Sequence, residues 1–495
     1  MIKKIRIQNF RSIKNLEIQL GKINAFIGPN NAGKSNIMKA LDLILGETYP
    51  TIKSFDDKDF YKYSKDNPIL IQVSFYQPLY VIDSRIYGFK LTYDGNNCEY
   101  VAIDQDENEL TYYSEKVMRV SKQMKEEVAL MYLSLDRQAS KQVRPSQWTL
   151  YGKVLKYLNA QIEQSEKEEF KELLENGYRE KLYPVVELFE NILRSYIQDQ
   201  IGLDIFLKLS LIDPMEVIKN LRPYFKEGDI EYDAEDMGAG TQSALVIAIA
   251  RAYADIVRNP VIIAIEEPEL YLHPHGCRHF YKLLKNLAND GLQVIYTTHE
   301  RSFIDISNFE SIHIVKKEGD ETKVYSGIPF SMPSQLDQIK LASKFNEYIN
   351  EVFFADKVIL VEGFSDKIAC QLALEKLEID IDLKNISIIE CGGKAAIEPI
   401  AQILKNFNIS TYALLDADAE TEISNLQELL GEDNVFIQTP DLEGMLGRDK
   451  LGLKDKEKLN KEKSLRLLPS YFQNIQKNEL PQIYLDLKNK IIGNV

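Results

Sequence analysis

Several features that would place a chain in a familiar class are missing from this 495-residue sequence. It contains no apolar run of about 18 residues, so it predicts no membrane-spanning helix. The first residues, Met1–Arg6, mix basic and β-branched side chains instead of building the apolar core of a signal peptide, and we therefore expect a cytoplasmic protein. Cysteine is scarce and has no CxxC spacing, which argues against a disulfide framework or a zinc knuckle. The four cysteines are Cys98, Cys277, Cys370 and Cys391.

Basic residues are also in the minority, with 60 Lys and Arg against 75 Asp and Glu, for a net charge of −15. This balance excludes a protein coated in positive charge, so any contact with DNA must be local. The best candidate is the stretch 448–466, where lysine and arginine outnumber the acidic residues. A solvated helix face of mixed charge is the alternative interpretation of this stretch.

The beginning of the chain follows the order strand, loop, helix. The residue pattern predicts strands at Ile2–Ile7, Leu16–Leu20 and Ile23–Ile27. The third strand leads directly into a glycine-bearing loop, Gly28–Ser35. Apolar residues then recur at helical intervals over Lys34–Leu45. This is the order that a phosphate-binding loop needs.

The rest of the chain divides by its periodicity. Short alternating segments at Ile69–Phe75 and Tyr87–Tyr93 predict an antiparallel side sheet. Charged, helix-favouring sequence from about 152 to 200 predicts a helical insertion, too short for a long coiled-coil arm. The α/β pattern returns from Asp229 to about Tyr325, and a new apolar strand at Lys357–Val361 opens a second α/β unit.

The loop Gly28–Ser35 matches the phosphate-loop pattern GxxxxGK[ST] completely. Small residues let backbone N–H groups close around the phosphates, Lys34 brings charge to the β and γ oxygens, and the Ser35 hydroxyl binds Mg²⁺. The sequence therefore predicts an ATP site. The loop residues expected to hold ATP are Asn30, Asn31, Gly33, Lys34 and Ser35.

The second half of an ATPase site is predicted where the strand Val261–Ile265 ends in two acids. Glu266 is placed to contact Mg²⁺, and Glu267 to polarise the attacking water as the catalytic base. A second apolar strand ends at His299, which would reach the γ-phosphate. Two adjacent acids at a strand end, or a single histidine, can also be ordinary surface residues.

A carboxylate cluster is predicted in the C-terminal unit. Glu362 follows the strand Lys357–Val361 and Asp366 lies four residues later, while Asp416 and Asp418 follow the apolar segment at 412–415. Parallel strands present their ends to one edge of a sheet, where such side chains meet. Converging carboxylates suit Mg²⁺ or Mn²⁺ and a two-metal site for phosphodiester cleavage.

The loop Gly392-Gly393-Lys394 lies between these acidic motifs at another predicted strand-to-helix turn. Its glycines and its lysine suit a DNA phosphate. A simple tight turn is an equally good interpretation, so the role of the loop stays open.

The motifs Glu266–Glu269, Leu272–Pro274 and Thr297–His299 together resemble the overcoming lysogenization defect (OLD) family and its RecF and SMC relatives. In that resemblance, the segment Asp236–Ser243 takes the place of the ABC signature, before a predicted helix at Ala244–Tyr253. Unlike the family pattern LSGGQ, the segment has no leading serine and its spacing is altered. The signature residues expected to contact ATP are Gly240 and Gln242.

In ABC-type ATPases the signature loop faces the nucleotide of a partner protomer, so the resemblance implies a homodimer or a higher homo-oligomer. Arg137 resembles a family arginine near the nucleotide, although a structural salt bridge is equally compatible with its position.

The order Glu362, Asp366, Asp416, Asp418 looks like a Toprim domain over about 350–440. The resemblance implies metal-dependent nuclease chemistry, with Glu362, Asp416 and Asp418 catalytic and Glu443 a further metal ligand. OLD nucleases also use a C-terminal lysine, which the sequence does not single out. Five lysines compete for that role: Lys454, Lys456, Lys458, Lys461 and Lys463.

The predicted fold is α/β: an ABC-type P-loop ATPase with a helical insertion, followed by a Toprim-like α/β domain. Its expected parts are 1–151 and 226–335 for the ATPase, 152–225 for the insertion, a candidate for dimerisation, and 345–495 for the Toprim-like domain. The resemblance, which extends to the nuclease subunit of Gabija-type defence, implies an ATP- and Mg²⁺- or Mn²⁺-dependent DNA endonuclease in antiphage defence. A helicase-like partner protein is compatible with it. The alternative is a non-nucleolytic RecF/SMC-like scaffold in DNA repair.

Overall fold

A computed structural model describes most of the chain. The described residues are 1–46, 48–81, 84–112, 116–135, 149–201, 203–207, 217–218, 220–257, 261–270, 272–327 and 349–493. The arginine that resembles a family residue, Arg137, lies outside these ranges. Among the helices described, none is long and apolar enough to cross a membrane.

Within the described ranges, the strands, numbered in chain order, form three main sheets and one small hairpin. They are β1 Ile2–Phe10, β2 Ile13–Gln19, β3 Ile23–Ile27, β4 Ile69–Val81, β5 Ser84–Tyr93, β6 Cys98–Ile103, β7 Ala129–Leu133, β8 Tyr224–Glu227, β9 Ile230–Asp233, β10 Val261–Glu266, β11 Gln293–Thr298, β12 Ile312–Glu318, β13 Glu321–Ser326, β14 Lys357–Val361, β15 Ile386–Glu390, β16 Ser410–Asp416 and β17 Val435–Gln438.

The helices flank these sheets. They are α1 Lys34–Leu45, α2 Lys122–Glu126, α3 Leu150–Gln161, α4 Gln164–Gly177, α5 Tyr183–Ile201, α6 Ala239–Val257, α7 Pro274–Asn289, α8 Phe364–Lys376, α9 Ile397–Asn406, α10 Glu420–Leu430, α11 Leu442–Leu446, α12 Lys461–Asn474 and α13 Gln482–Ile492. A short π-helical turn, Tyr178–Leu182, joins α4 to α5.

A six-stranded sheet in the order β13-β12-β3-β11-β10-β7 forms the centre of the ATPase part. All neighbouring pairs are parallel except β12 with β13. Every residue of β3, β10 and β11 is buried, as is expected for parallel strands covered on both faces. The loops that follow these three strands therefore meet at one edge of the sheet.

An antiparallel sheet, β2-β1-β4-β5-β6, covers the outside of α1. The predicted pairing of two alternating segments is confirmed, because β4 and β5 pair in antiparallel register from Ile69 with Tyr93 to Ser74 with Gly88. Inward-facing residues of this sheet share one core with α1 and with Ile295 of β11. The core thus fixes α1, and with it the phosphate loop, against the central sheet.

The helical insertion consists of α3, α4 and α5. Helix α3 is anchored, since Val154 packs with Val246 and Ala250 of α6 in the central core. Helix α5 instead exposes apolar side chains on one face: Val185, Leu188, Phe189 and Ile192. Their spacing places them on adjacent turns, so they form a continuous apolar stripe. We call these four residues the α5 stripe.

The C-terminal domain is built on a parallel sheet, β15-β14-β16-β17, with helices on both faces. Ile359 and Leu414 face a core with α8, α12 and α13, whereas Leu360 and Leu415 face α9 and α10. The second core is continuous with that of the ATPase sheet. The two parts of the chain therefore share apolar packing.

A short 3₁₀ segment, Ile349–Phe354, forms the junction between the two parts. Its buried Asn350 donates to the carbonyl oxygens of Arg301 at 3.2 Å and Ile304 at 3.0 Å, just after β11. Its Glu351 pairs with Arg301 at 3.1 Å and accepts a hydrogen bond from Ser387 of β15 at 3.0 Å. The segment thus joins the end of β11 to the sheet that contains β15.

One predicted helix boundary is wrong. The helix after the signature-like segment begins at Ala239 rather than at Ala244, so Gly240 and Gln242 belong to its first turn. The backbone N–H of Gln242 bonds to the carbonyl of Gly238 at 3.1 Å, which starts the helix before its apolar face appears in the sequence. The apolar periodicity of the sequence therefore predicted only the buried part of α6 and not its first turn.

Candidate nucleotide and metal sites

The phosphate loop follows β3, and its turns depend on glycine. Gly33 adopts φ 109°, and a Cβ there would lie 2.2 Å from Oγ1 of Thr322. A Cβ on Gly28 would lie 2.1 Å from the carbonyl oxygen of Val315. Asn31 also has a positive φ of 62°, which asparagine tolerates better than most residues. The loop is thus held in a shape that a larger side chain would disrupt.

Lys34 is drawn into this loop. Its ammonium donates to the carbonyl oxygens of Gly28 at 2.8 Å and Pro29 at 2.9 Å, and the residue is buried. Burial lowers its pKa to about 8, although the nearby carboxylates of Glu267, Glu269 and Glu266 act to raise it. A phosphate oxygen would offer the ammonium a stronger, charge-assisted acceptor than either carbonyl.

Two hydroxyl residues that the sequence did not single out brace the loop from behind. Thr322 of β13 donates to the carbonyl oxygen of Ala32 at 2.8 Å, and its Oγ1 lies 2.7 Å from Oγ of Ser12. Asn36 of α1 in turn donates to Ser12 at 2.7 Å. Ser12 and Thr322 are far apart in the chain, so no local sequence pattern predicts their contact.

The acids after β10 take different positions. Glu266 is buried and accepts a hydrogen bond from the Tyr132 hydroxyl at 2.8 Å. Glu267 has φ 44°, and its N–H donates to the carbonyl oxygen of Thr297 at 2.9 Å and to Oγ1 of that residue at 3.1 Å. This left-handed backbone is costly for glutamate and typical of functional sites. Tyr132, on the neighbouring strand β7, also escaped prediction.

His299 lies beside Glu267, with 3.5 Å between Nε2 of the imidazole and Oε1 of the carboxylate. Burial, together with the positive charge of Lys34, lowers the pKa of His299 below its ordinary value. The imidazole is therefore neutral at pH 7 and can donate one hydrogen bond to a phosphate oxygen. The predicted base and the predicted phosphate contact thus lie together.

The signature-like segment is closed on itself in the single chain. The side chain of Gln242 donates to the carbonyl oxygens of Glu235 at 2.9 Å and Met237 at 2.8 Å. A Cβ on Gly240 would approach Leu272 to 2.9 Å, so glycine brings α6 close to the turn after β10. A contact of Gly240 or Gln242 with ATP remains a prediction.

The second candidate site is an open pocket of about 400 Å³ at the carboxyl edge of the Toprim-like sheet. Four of the predicted acids line it: Glu362, Asp366, Asp416 and Glu443. Asp418 does not line the pocket. Its side chain is 68% exposed and lies 3.5 Å from the Lys394 ammonium.

Backbone N–H groups orient three of these carboxylates. Asp416 N–H donates to Oε1 of Glu362, Gly363 N–H to Oδ2 of Asp366, and Leu442 N–H to Oδ1 of Asp416, each at 3.1 Å. The fourth, Glu443, is buried and accepts the N–H of Leu459 at 2.7 Å. The strand ends therefore hold the acids in place before any ligand arrives.

Gln438, at the end of β17, also escaped prediction. It is fully buried and sits opposite Asp416 in the parallel register. With its nitrogen turned towards the acids, its amide donates to Oδ1 of Asp416 at 2.9 Å and to Oδ1 of Asp366 at 3.0 Å. One neutral side chain thus bridges two carboxylates.

Burial and mutual repulsion keep these acids from ionising easily. Burial, with the charges of Asp416 and Glu362, raises the pKa of Asp366 to about 7. Burial and the charge of Glu362 raise the pKa of Asp416 to about 6. Burial also raises the pKa of Glu362. The charge of nearby Lys458 opposes the pKa shifts of Glu362 and Asp416 without cancelling them, and a bound cation would add the missing positive charge.

The donor set therefore fits a hard divalent cation that prefers carboxylate oxygens. Within the described ranges, however, no three Asp, Glu, His or Cys side chains stand close enough to hold a metal ion. Binding of an ion by Glu362, Asp366 and Asp416 thus requires small side-chain movements.

Two of the five competing lysines line the pocket, Lys458 and Lys461. The positive charge of Lys458 acts on both Glu362 and Asp416, and it partly opposes the rise in the pKa of each carboxyl. Lys463 is instead paired with Glu457. Lys458 and Lys461 are therefore both placed to act at the pocket, and Lys458 is the one whose charge acts on Glu362 and Asp416.

The glycine loop also reaches the pocket. Gly392 and Gly393 line it with φ values of 73° and 121°, and a Cβ on either residue would meet open space. Lys394 donates to the carbonyl oxygen of Asp418 at 3.0 Å. The positive φ values support the tight-turn interpretation, and contact with a DNA phosphate remains a prediction.

Two protein families match the chain. The AAA ATPase domain matches residues 1–129 and 91–304, which is more than half of the chain. The TOPRIM domain of overcoming lysogenization defect protein-like proteins matches residues 353–418, which include Glu362, Asp366, Asp416 and Asp418. These matches confirm the predicted fold class. They also imply the use of a nucleotide and a divalent metal ion.

Two relatives match this chain over most of its length and of their own. The OLD nuclease of Thermus scotoductus is 29% identical over 90% of this chain and 92% of its own length. Endonuclease GajA of Bacillus cereus is 21% identical over 99% of this chain and 89% of its own length.

Among solved structures, an SMC head bound to the C-winged helix domain of ScpA is similar to this chain. The match covers 66% of this chain and 97% of the SMC head chain, at 15% identity and a TM-score of 0.38. That score is too low to carry an argument. The two family matches and the full-length relatives are sufficient: the chain belongs to the AAA ATPase domain family and, with its TOPRIM domain, is an ATPase–Toprim member of the OLD family.

Proposed function

We propose that the chain is an ATP-hydrolysing, metal-dependent DNA endonuclease whose cleavage is controlled by nucleotide. The observation that carries the proposal is the pairing of two sites in one chain. A phosphate loop with its base and histidine lies at one parallel sheet edge, and a cluster of poorly ionised carboxylates lies at the other. The relatives called OLD nuclease and endonuclease GajA support the same assignment.

In the ATPase site, Lys34 would leave its carbonyl partners for the β and γ oxygens of ATP. Ser35 and Glu266 would hold Mg²⁺, with Tyr132 fixing one oxygen of Glu266. Glu267 would accept a proton from the attacking water, and neutral His299 would donate to the γ-phosphate. Each role follows from the position and charge of the side chain.

In the nuclease site, Glu362, Asp366 and Asp416 would hold Mg²⁺ or Mn²⁺, with Glu443 as a further ligand. Bound divalent ions supply Lewis-acid chemistry, which activates water and stabilises the leaving oxygen. Lys458 would stabilise charge on the phosphate. Asp418, at the rim beside Lys394, would act on DNA as it enters the pocket.

Control by nucleotide is supported by the junction. Arg301 lies two residues after His299, and it pairs with Glu351, which also binds Ser387 of the Toprim-like sheet. A movement of His299 towards a γ-phosphate would therefore pull on a segment attached to the second site. We extend the proposal to antiphage defence, with a helicase-like partner, on family resemblance alone.

The alternative function, a RecF/SMC-like scaffold without nuclease activity, has one observation in its favour. No three potential ligands among the described residues are close enough to bind a metal as they stand. The raised pKa values of Asp366 and Asp416 favour the nuclease, because burial of repelling acids is costly unless a cation compensates it.

The first prediction concerns ATP. Lys34→Ala should weaken ATP binding by about 10- to 100-fold, because a charge-assisted contact to phosphate is lost. Glu267→Gln should leave binding intact and lower kcat by about 10²- to 10⁴-fold, because the proton acceptor is lost. Equilibrium binding and steady-state turnover measure the two effects, with Lys39→Ala on the outer face of α1 as control. Full turnover in Glu267→Gln would refute its assignment as base.

The second prediction concerns DNA cleavage. Asp416→Ala and Glu362→Ala should abolish nicking of plasmid DNA in Mg²⁺ or Mn²⁺, while ATP turnover stays at the wild-type rate. Lys458→Ala should slow cleavage by about 10²-fold, the usual cost of losing a donor to developing charge. Lys456→Ala is the matched control, since Lys456 does not line the pocket. A wild-type protein that cuts no DNA under any metal or nucleotide condition would instead favour the scaffold.

The third prediction concerns pH without metal. Because the folded-state pKa of Asp366, about 7, exceeds the ordinary value, the folded protein binds this proton more tightly than the unfolded chain. Stability should therefore fall as the pH rises from about 4 to 7, and the loss should be complete above pH 7. In EDTA, Asp366→Asn should raise the melting temperature at pH 8 and flatten its pH dependence.

Thermal melts with and without Mg²⁺ measure this effect. Mg²⁺ at pH 8 should stabilise the wild type more than Asp366→Asn. Asp433→Asn is the control, because its side chain is 85% exposed and does not line the pocket. Identical pH profiles for wild type and Asp366→Asn would contradict the role of repulsion.

The fourth prediction concerns self-association through the α5 stripe. The second copy of the chain is the proposed occupant, because the signature-like segment needs a partner nucleotide to face. Val185 is 80% exposed and Leu188 71% exposed, and such a contiguous apolar stripe is unusual on a monomer surface. The double substitution Val185→Glu and Phe189→Glu should therefore yield monomers with lower ATP turnover.

Light scattering measures the mass, and Glu187→Lys, at an exposed position on the opposite side of α5, is the control. A wild-type chain that is strictly monomeric and hydrolyses ATP at full rate would exclude the composite site. Intact dimers of the doubly substituted protein would place the interface elsewhere.

A further inference from the structure

Glu269 makes a contact that no role assigned so far explains. It lies in the turn after β10, three residues beyond Glu266, and its side chain crosses to the neighbouring strand end. There Oε1 accepts the backbone N–H of His299 at 2.6 Å. This is among the shortest hydrogen bonds of the nucleotide site, and it ends on the residue that carries the histidine.

The second oxygen of Glu269 is buried and has no hydrogen-bond partner among the residues that the structure describes. Nε2 of His299 is likewise buried without a hydrogen-bond partner there. A carboxylate in such a place costs stability, and burial together with the charge of Glu267 raises its pKa. A neutral apolar residue would fill the same space, but it would leave the N–H of His299 without this acceptor. The contact with His299 is therefore what the carboxylate contributes.

The contact completes a double clamp between β10 and β11. In one direction, the N–H of Glu267 bonds to the carbonyl oxygen and the hydroxyl of Thr297. In the other direction, the N–H of His299 bonds to Glu269. The two bonds flank the pair formed by Glu267 and His299, whose side chains lie 3.5 Å apart.

We propose that Glu269 is a positioning residue for ATP hydrolysis: it fixes the backbone of His299 and thereby sets the distance between that histidine and Glu267. The inference rests on the proposed ATPase activity and deepens it. Glu267 must face the attacking water while His299 faces the γ-phosphate, so their separation determines whether both act on one nucleotide. A displacement of about 1 Å at such a pair can cost about 10²-fold in rate.

The hydrogen bond from the N–H of His299 needs an acceptor oxygen at position 269, and a negative charge on that oxygen strengthens the bond. A carboxylate oxygen makes a shorter and stronger bond to an N–H than a neutral acceptor does. Glutamine at this position keeps an acceptor oxygen on a side chain of the same length, whereas alanine removes it. The pair of variants therefore separates the hydrogen bond from the space that the side chain fills.

The test measures ATP affinity and turnover in Glu269→Ala and Glu269→Gln. In Glu269→Ala, kcat should fall by about 10-fold or more, while ATP affinity stays within about threefold. Glu269→Gln should recover most of the lost kcat. Glu300→Ala is the matched control: Glu300 follows His299 directly, but its carboxylate accepts the N–H of Ser302 instead.

A second readout does not depend on hydrolysis. The ¹⁵N chemical shifts of the His299 imidazole, assigned with His299→Gln, should move in Glu269→Ala and return towards the wild-type values in Glu269→Gln. If the wild type hydrolyses no ATP, the proposed function fails, and the imidazole shifts alone decide the positioning role. Unchanged shifts in Glu269→Ala, wild-type kcat in that variant, or an equal loss in Glu269→Gln and Glu269→Ala would each overturn the inference.

Discussion

The structure depends on the way parallel strands end. A buried parallel strand presents its last residues to one sheet edge, where polar groups can meet although the strand itself is apolar. This chain uses that constraint twice, at Glu266 and His299 in one sheet and at Glu362 and Asp416 in the other. In both places burial opposes ionisation. It lowers the pKa of Lys34 and raises the pKa values of Asp366 and Asp416, and each shift favours the neutral form of the side chain. Ligands of opposite charge would reverse this effect.

The two edges are mechanically connected. One apolar core extends from β10 and β11 through Phe303 and Phe353 to the inner face of β14. Polar contacts follow the same path, because Asn350 holds the carbonyls after β11 and Glu351 joins Arg301 to Ser387. Packed cores transmit small displacements with little loss. The junction therefore places both apolar and polar contacts between the two sheet edges.

Much of the architecture could be predicted from the sequence, because the buried strands are nearly continuous apolar runs. The predicted bounds of β3, α1 and β14 match the structure. The predicted start of the helix after the signature-like segment was too late. The first turn of this helix is formed by backbone hydrogen bonds and has no apolar periodicity that the sequence could show. Phosphate-loop and acid positions followed from local motifs.

The supporting residues could not be predicted, because their partners are distant in sequence. Thr322 braces the phosphate loop from another strand, Tyr132 reaches Glu266 across a strand pair, and Gln438 bridges two acids only through the register of β17. Local patterns carry no signal for such contacts. The sequence likewise does not indicate which of the five lysines line the pocket, whereas the fold places Lys458 and Lys461 there.

These supporting contacts also explain how the protein can keep two sites of unfavourable charge folded before their ligands bind. Lys34 is held by carbonyl oxygens, and three Toprim carboxylates are each held by a backbone N–H. Each temporary partner is weaker than the phosphate or metal ion expected to join or replace it. Ligand binding would therefore compensate buried charge at a sheet edge whose apolar core continues into the other part of the chain.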